Sequence, residues 1–315
     1  MVTPRLRGDG HPADGGCQSE APTDKSFCFF FQKEVLVFSC SFLKKRTKKL
    51  LSVGGCAMAS QVEFELSGNV ATVRINDPAT LNALTSEVVT ALHAAADRAG
   101  REARAMVLCG AGRAFCSGWN LAAAAPGEGE PDAGAALERF VNPFMRALRD
   151  LPIPWISAVH GAAAGVGASI ALAADLIVAG ESAYFLQAFR RIGLVPDGGA
   201  TWLLAQSAGR ARAMELMLLG DKLPAPKALE WGLINRVVSD GEVQEAGLAL
   251  ARELADGPTR ALALIRRAAW AATASDLDAA LATERQLQTQ AGRTADFAEG
   301  VRAFLEKRPA RFTGA

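Results

Sequence analysis

The segment that most limits how this chain can fold is Pro154–Thr201, PWISAVHGAAAGVGASIALAADLIVAGESAYFLQAFRRIGLVPDGGAT. It reads as a buried strand, a glycine turn opening a helix, a second strand, and a glycine turn carrying one carboxylate, Asp197. Strands and helices alternating this closely imply an α/β fold. A turn whose N–H groups are left free at a helix start can hold a developing oxyanion. A lone carboxylate in an apolar stretch can carry a proton. Together they point to chemistry beside a polarised carbonyl.

The flanking sequence extends the pattern. Val62–Leu66 and Val70–Ile75 alternate apolar and polar residues around Ser67-Gly68-Asn69, a hairpin signature. Thr85 caps a helical pattern with Val88, Leu92 and Ala95 on one face, expected to end at Gly100. Ala105–Cys109 is a short buried strand feeding the glycine-rich loop GAGRAFCSGWNL, Gly110–Leu121. Residues 122–134 have no periodicity and are expected to form a mobile flap, followed by a helix over about 135–150. From about residue 256 the pattern is helical only, ending in amphipathic stretches at Asp276–Gln290 and Thr294–Lys307. Such a tail covers its own core or a partner subunit.

With half of its 315 residues hydrophobic, the chain can bury a large core. The net charge of +1 gives no field that would draw it to nucleic acid or a membrane. Four of the six cysteines (Cys17, Cys28, Cys40, Cys56) precede residue 58; the others, Cys109 and Cys116, have no metal-ligand spacing and read as packed free thiols. That usage fits a reducing compartment, so a cytoplasmic location is expected, with no metal.

Residues 1–57 differ in kind, with the Phe-rich stretch FCFFFQKEVLVFSCSFL and the basic cluster Lys44–Lys49. Gln32, Lys33 and Glu34 interrupt the apolar run, which is too short and polar to span a bilayer. A signal peptide would carry its charges ahead of the apolar part. Residues 1–57 are therefore read as an extension outside the fold, with Met58 as the expected start. The expected division is a core over 58–255 and a helical region over 256–315.

In order, GAGRAFCSGWNL, AVHGAAAGVGASIALAADLIVA, IGLVPDGGATWLL and LMLLGDKLPAPKALEWGLINRVV resemble the enoyl-CoA hydratase/isomerase (crotonase) superfamily over roughly residues 60–315. The resemblance implies a crotonase-like spiral of strand–strand–helix units, a C-terminal helical trimerisation region (trimer or hexamer), and an acyl-CoA substrate with no further cofactor. It implies a thioester-oxygen hole formed by the backbone N–H groups of Trp119 and Val166. Asn82, Leu84 and Ser117 would lie on CoA, and Phe189 and Trp202 would line the acyl pocket.

The departures narrow the chemistry. Where hydratases of the family carry two glutamates, this chain has Ser169 and Phe189. Without one acid to activate water and a second to donate a proton, syn hydration is disfavoured. Asp197 remains, raised toward neutrality by an apolar surround expected to include Phe189, Ile192, Leu194 and Trp202. Aspartate here resembles the isomerase branch, most closely the ring-epoxide isomerases of phenylacetate breakdown, with a Δ3,Δ2-enoyl-CoA isomerase or a generic enoyl-CoA hydratase-family enzyme as the alternative. A dehalogenase would need a histidine where Asn142 stands. A non-catalytic CoA-binding scaffold is the rival of another class. Asp before Gly is also ordinary turn chemistry. His160, Cys116 and Asp175 read as structural residues, and Asn120 stands where the family often has aspartate.

Overall fold

The computed structural model describes residues 60–121 and 132–315. The extension and most of the expected flap therefore lie outside the described residues.

Strands β1 (Val62–Ser67) and β2 (Val70–Ile75) form the hairpin, paired antiparallel with Ser67 opposite Val70. Helix α1 (Ser86–Glu102) starts where Thr85 accepts a hydrogen bond from the Val88 amide. It runs past Gly100 to Glu102, which corrects the expected end. A Cβ at Gly100 would sit 3.2 Å from Pro152 Cδ, so this glycine admits a neighbouring loop and does not stop the helix.

Strand β3 (Ala105–Gly110) is buried throughout. The expected helix at 135–150 divides into a π-helical turn, Leu137–Val141, and α2, Asn142–Asp150. Pro143 lacks the N–H that would close a regular turn onto the carbonyl four residues back.

The next strands alternate between two sheets, and this makes the chain spiral. Strands β4 (Trp155–Val159), β6 (Leu176–Gly180) and β9 (Arg236–Val238) join a six-stranded sheet ordered β1-β2-β3-β4-β6-β9. Strands β5 (Ala162–Ala164), β7 (Tyr184–Leu186) and β8 (Lys222–Pro224) form a three-stranded one. From β2 onward the large sheet is parallel and needs cover on both faces. Met106 and Leu108 of β3 join the core beneath α1. Val107 and Cys109 point the other way, into a core with Val243, Leu250 and Ala251 of α7 (Val243–Ala255).

Interspersed among β5 to β9, the chain forms α3 (Val166–Leu172), α4 (Ala200–Ala208), α5 (Arg210–Leu219) and α6 (Ala225–Glu230). The C-terminal helices are α8 (Thr259–Ala272), α9 (Leu277–Ala291) and α10 (Ala295–Leu305). Arg266 of α8 ties them to the core: its Nε donates to Asp175 Oδ2 at 2.5 Å, and its Nη atoms donate to the Leu148 and Leu151 carbonyls. Asp175 also accepts from the Trp155 amide, the structural role expected of it. Among the described residues no helix is long and apolar enough to cross a membrane.

Candidate active site

Two glycine-led segments meet at the centre. Loop 116–119 runs beside β5: the Cys116 amide donates to Ala162 O at 3.0 Å and the Ala164 amide to Cys116 O at 2.9 Å. Gly118 has φ +96°, and a Cβ there would lie 2.8 Å from Ala164 O, so only glycine allows this approach. Gly165, with φ +53°, caps α3. The two amides that follow, Trp119 and Val166, are thus carried on touching segments. Neither donates to a backbone carbonyl outside helices and strands among the described residues. Beneath them Gly167 packs on Cys116, whose thiol is pushed up to about 12 by burial. Cys116 is a packing residue.

Asp197 comes to the first turn of α3 through a doubled glycine turn. Gly198 and Gly199 have φ +59° and +80°, and α4 begins immediately after them. A Cβ on Gly198 would lie 3.1 Å from Val166 Cγ2 and 2.9 Å from Ser169 Cβ. The Asp197 backbone carbonyl accepts from Ser169 Oγ at 2.8 Å. Its side chain is treated differently: Oδ1 is buried and has no hydrogen-bond partner among the described residues. Burial raises the carboxyl from its ordinary 3.8 to about 6.

The surround of Asp197 differs in part from expectation. Phe189 is buried, with Cζ 3.7 Å from where a Gly165 Cβ would stand. Ile192 and Leu194, expected to enclose the carboxylate, are 49% and 43% exposed, which corrects that expectation. They lie at the end of a 3₁₀ turn and just past it, where the alternation that assigns faces in strands and helices does not hold. Trp202 is partly buried and stacks on Trp270 of α8, with centroids 5.3 Å apart and planes at 8°.

The residues expected beside CoA brace the loop. Asn82 is completely enclosed; its Nδ2 donates to the Ala111 and Ala114 carbonyls, and its Oδ1 accepts from the Asp77 amide. Leu84 is also fully buried, its amide donating to Gly118 O and its carbonyl accepting from the Asn120 amide. Ser117 Oγ donates to Thr80 O. With their side chains enclosed, Asn82 and Leu84 shape the loop from behind. His160 Nε2 lies 3.0 Å from Gly112 O, in keeping with a structural role. No cluster of His, Cys, Asp or Glu able to hold a metal occurs among the described residues.

The family model described as enoyl-CoA hydratase/isomerase matches residues 65–315. The chain belongs to the enoyl-CoA hydratase/isomerase family. It is 46% identical over 260 residues to the 1,2-epoxyphenylacetyl-CoA isomerase of Escherichia coli K12, covering 80% of this chain and 99% of that one. It is 45% identical over 257 residues to the "Probable enoyl-CoA hydratase" of Rhodobacter capsulatus, covering 80% and 98%. Among solved structures, an enoyl-CoA hydratase from Polaromonas sp. JS666 matches with TM-score 0.75 and 33% identity over 80% of this chain and 99% of that one. These likenesses bear out the expected α/β crotonase fold, and the family acts on acyl-CoA thioesters.

Sequence reasoning misses two parts of this family member's site, the Ser169 hydroxyl on the Asp197 backbone and Trp270 behind Trp202, and, away from the site, the Arg266 brace. In the sequence Ser169 stands out only for the glutamate it replaces. Trp270 and Arg266 lie on helical faces whose partners are remote in sequence, and no local pattern marks them.

Proposed function

We propose that this chain is an acyl-CoA isomerase that moves a proton with a single carboxylate, Asp197. The observation that carries the reading is the buried, unpartnered Asp197 Oδ1, its carboxyl raised to about 6, one glycine turn from the start of α3. In this reading the Trp119 and Val166 amides hold the thioester oxygen. They stabilise the enolate formed when Asp197 takes the C2 proton; losing one such donor typically costs ~10²–10³ in rate. A carboxyl near pH 6 is ionised at neutrality yet basic enough to accept that proton. Asp197 then returns it further along the conjugated system, so that no atoms are gained or lost.

The preferred substrate is 1,2-epoxyphenylacetyl-CoA, converted by ring expansion to an oxepin thioester in aerobic phenylacetate breakdown. The likeness to the Escherichia coli isomerase supports this. Phe189 and Trp202 would line the aromatic acyl pocket, and CoA would run along the loop braced by Asn82, Leu84 and Ser117. A Δ3-enoyl-CoA would undergo the simpler Δ3-to-Δ2 shift at the same site. Hydration, the activity named for the Rhodobacter relative, needs a second acid, and the two family glutamate positions hold Ser169 and Phe189. No cofactor beyond the CoA of the substrate enters this scheme. Assembly as a trimer or hexamer in the cytoplasm completes the reading. It draws support from the exposed Leu277, Leu281, Phe297 and Phe304 on α9 and α10, which give those helices uncovered apolar faces.

The test is an assay of the purified protein with epoxyphenylacetyl-CoA, a 3-enoyl-CoA, and crotonyl-CoA in water. Isomerisation of either of the first two with negligible hydration of the third is expected. Strong hydration of crotonyl-CoA would overturn the one-carboxylate reading.

A further inference from the structure

We infer that Ser169 is a positioning residue: its hydroxyl fixes the backbone of the Asp197 loop against α3, and its small size keeps a second carboxylate out of the site. The inference rests on the reading of Asp197 as the proton carrier, and it explains how a partnerless side chain is held in one place. Asp197 Oδ1 has no hydrogen bond of its own among the described residues, so the carboxylate is not located by its own side-chain bonds. The main chain takes over that task. Ser169, fully buried, donates from Oγ to Asp197 O at 2.8 Å, and the Ala200 amide donates to the same carbonyl at 3.1 Å. Ser169 is in turn fixed by α3, where its amide donates to Gly165 O at 3.2 Å. One hydroxyl thus joins the turn that carries Asp197 to the glycine that sets the Val166 amide.

Space at the junction is equally restrictive. Gly198 approaches so closely that even a Cβ there would stand 2.9 Å from Ser169 Cβ and 3.1 Å from Val166 Cγ2. The gap between α3 and the turn is filled by the serine. A glutamate at 169 has a further methylene and a carboxylate in place of the hydroxyl, and it enters only by driving Gly198, and Asp197 with it, away from the helix. Packing density in such an interior leaves no slack for that. The two arrangements therefore exclude each other: Asp197 held close with a small hydroxyl residue, or a helix carboxylate with the turn displaced.

Other titratable groups near this junction are few. Helices α3 and α4 contribute none, since their sequences are VGASIAL and ATWLLAQSA. The preceding turn offers Arg190 and Arg191, which donate to the carbonyls of Leu218 and Leu219 and of Gly220, respectively. A change in the acid limb of the rate profile after substitution at 169 therefore reports on Asp197.

The experiment compares Ser169→Ala, Asp197→Asn, the double variant and Ser169→Glu, each as the full chain. It measures isomerisation of 3-enoyl-CoA and epoxyphenylacetyl-CoA across roughly pH 4.5–9, a window set about one to three units either side of the raised carboxyl. Ser169→Ala is expected to lower kcat by roughly 10- to 100-fold, the scale of an ångström's misplacement. KM should stay within about twofold, as expected when only transition-state positioning is lost. The acid limb should move to lower pH as the loosened carboxylate gains water. In the Asp197→Asn background the same change should lower the residual rate no further, because the serine acts through the aspartate. Ser169→Glu should lose isomerase activity and gain no hydration of crotonyl-CoA.

Full kcat in Ser169→Ala would overturn the inference while leaving Asp197 in place. An equal loss on both backgrounds, or Ser169→Glu hydrating crotonyl-CoA with isomerisation intact, would do the same. Undiminished turnover by Asp197→Asn would instead overturn the reading on which the inference rests, and the inference with it.

Discussion

Replacing Asp197 by asparagine should stabilise the protein at alkaline pH while removing its proposed chemistry. The carboxyl rises from 3.8 to about 6 because burial penalises its charged form. At about 1.4 kcal/mol per pH unit, the shift corresponds to ~3 kcal/mol of strain in the ionised, folded state. Partial exposure of the side chain screens some of this, so ~1–2 kcal/mol is the working figure. The sign follows from proton binding. Between pH 3.8 and about 6 the folded state holds a proton that the unfolded state has released, so stability falls as pH rises through that window. Above it the loss is constant; below it there is none.

The asparagine side chain cannot ionise, so Asp197→Asn should match the natural protein near pH 4 and exceed it by that margin at about pH 8. For a domain of this size the gain is about 3–6 °C in Tm. Urea unfolding at unit steps from about pH 4 to about pH 8 measures the difference directly over the roughly two-unit window of the shift. A variant whose advantage over the natural protein is no larger at the alkaline end than at the acid end would show that the carboxylate is well solvated or has a partner. Asp197 would then not be a base tuned by burial.

Arg266→Met should destabilise the fold by about 3–5 kcal/mol, since it leaves the Asp175 carboxylate and the Leu148 and Leu151 carbonyls without their buried donor. Denaturant titration checks this, and a loss under about 1 kcal/mol would mean that α8 is held by packing alone. Gly167→Ala would put a Cβ 2.6 Å from Cys116 Sγ and 2.8 Å from Cys116 O. The two glycine segments should separate, with ~1–3 kcal/mol lost and turnover reduced more than its Tm implies; an active, fully stable variant would refute that geometry. Cys109 and Cys116 should resist alkylation in the native protein, because burial raises both thiols, that of Cys116 to about 12. Peptide mass spectrometry after iodoacetamide treatment checks this, and rapid native labelling at Cys116 would contradict its enclosed position.

The sequence is most legible where structure is local. The β1–β2 hairpin and the Thr85 cap follow from alternation and from a side chain reaching its own helix, and both stand where expected. The family resemblance supplies the spiral, which periodicity alone does not give, because only the sheet pairing reveals that β4 to β7 alternate between two sheets. The failures are tertiary. Gly100 resembles a helix stop, yet it is small because Pro152 crosses there. Ile192 and Leu194 resemble core residues, but they border a 3₁₀ turn and face outward. The Ser169 tie to Asp197 spans 28 residues and passes through a backbone atom, which no residue-type motif encodes.

The central claim, that one carboxylate carries the proton, is tested most directly by the isomerisation rate of Asp197→Asn. With epoxyphenylacetyl-CoA or a 3-enoyl-CoA as substrate, the account predicts a fall in kcat of ~10²–10⁴ with substrate affinity retained. A variant turning over within a few fold of the natural protein would contradict it.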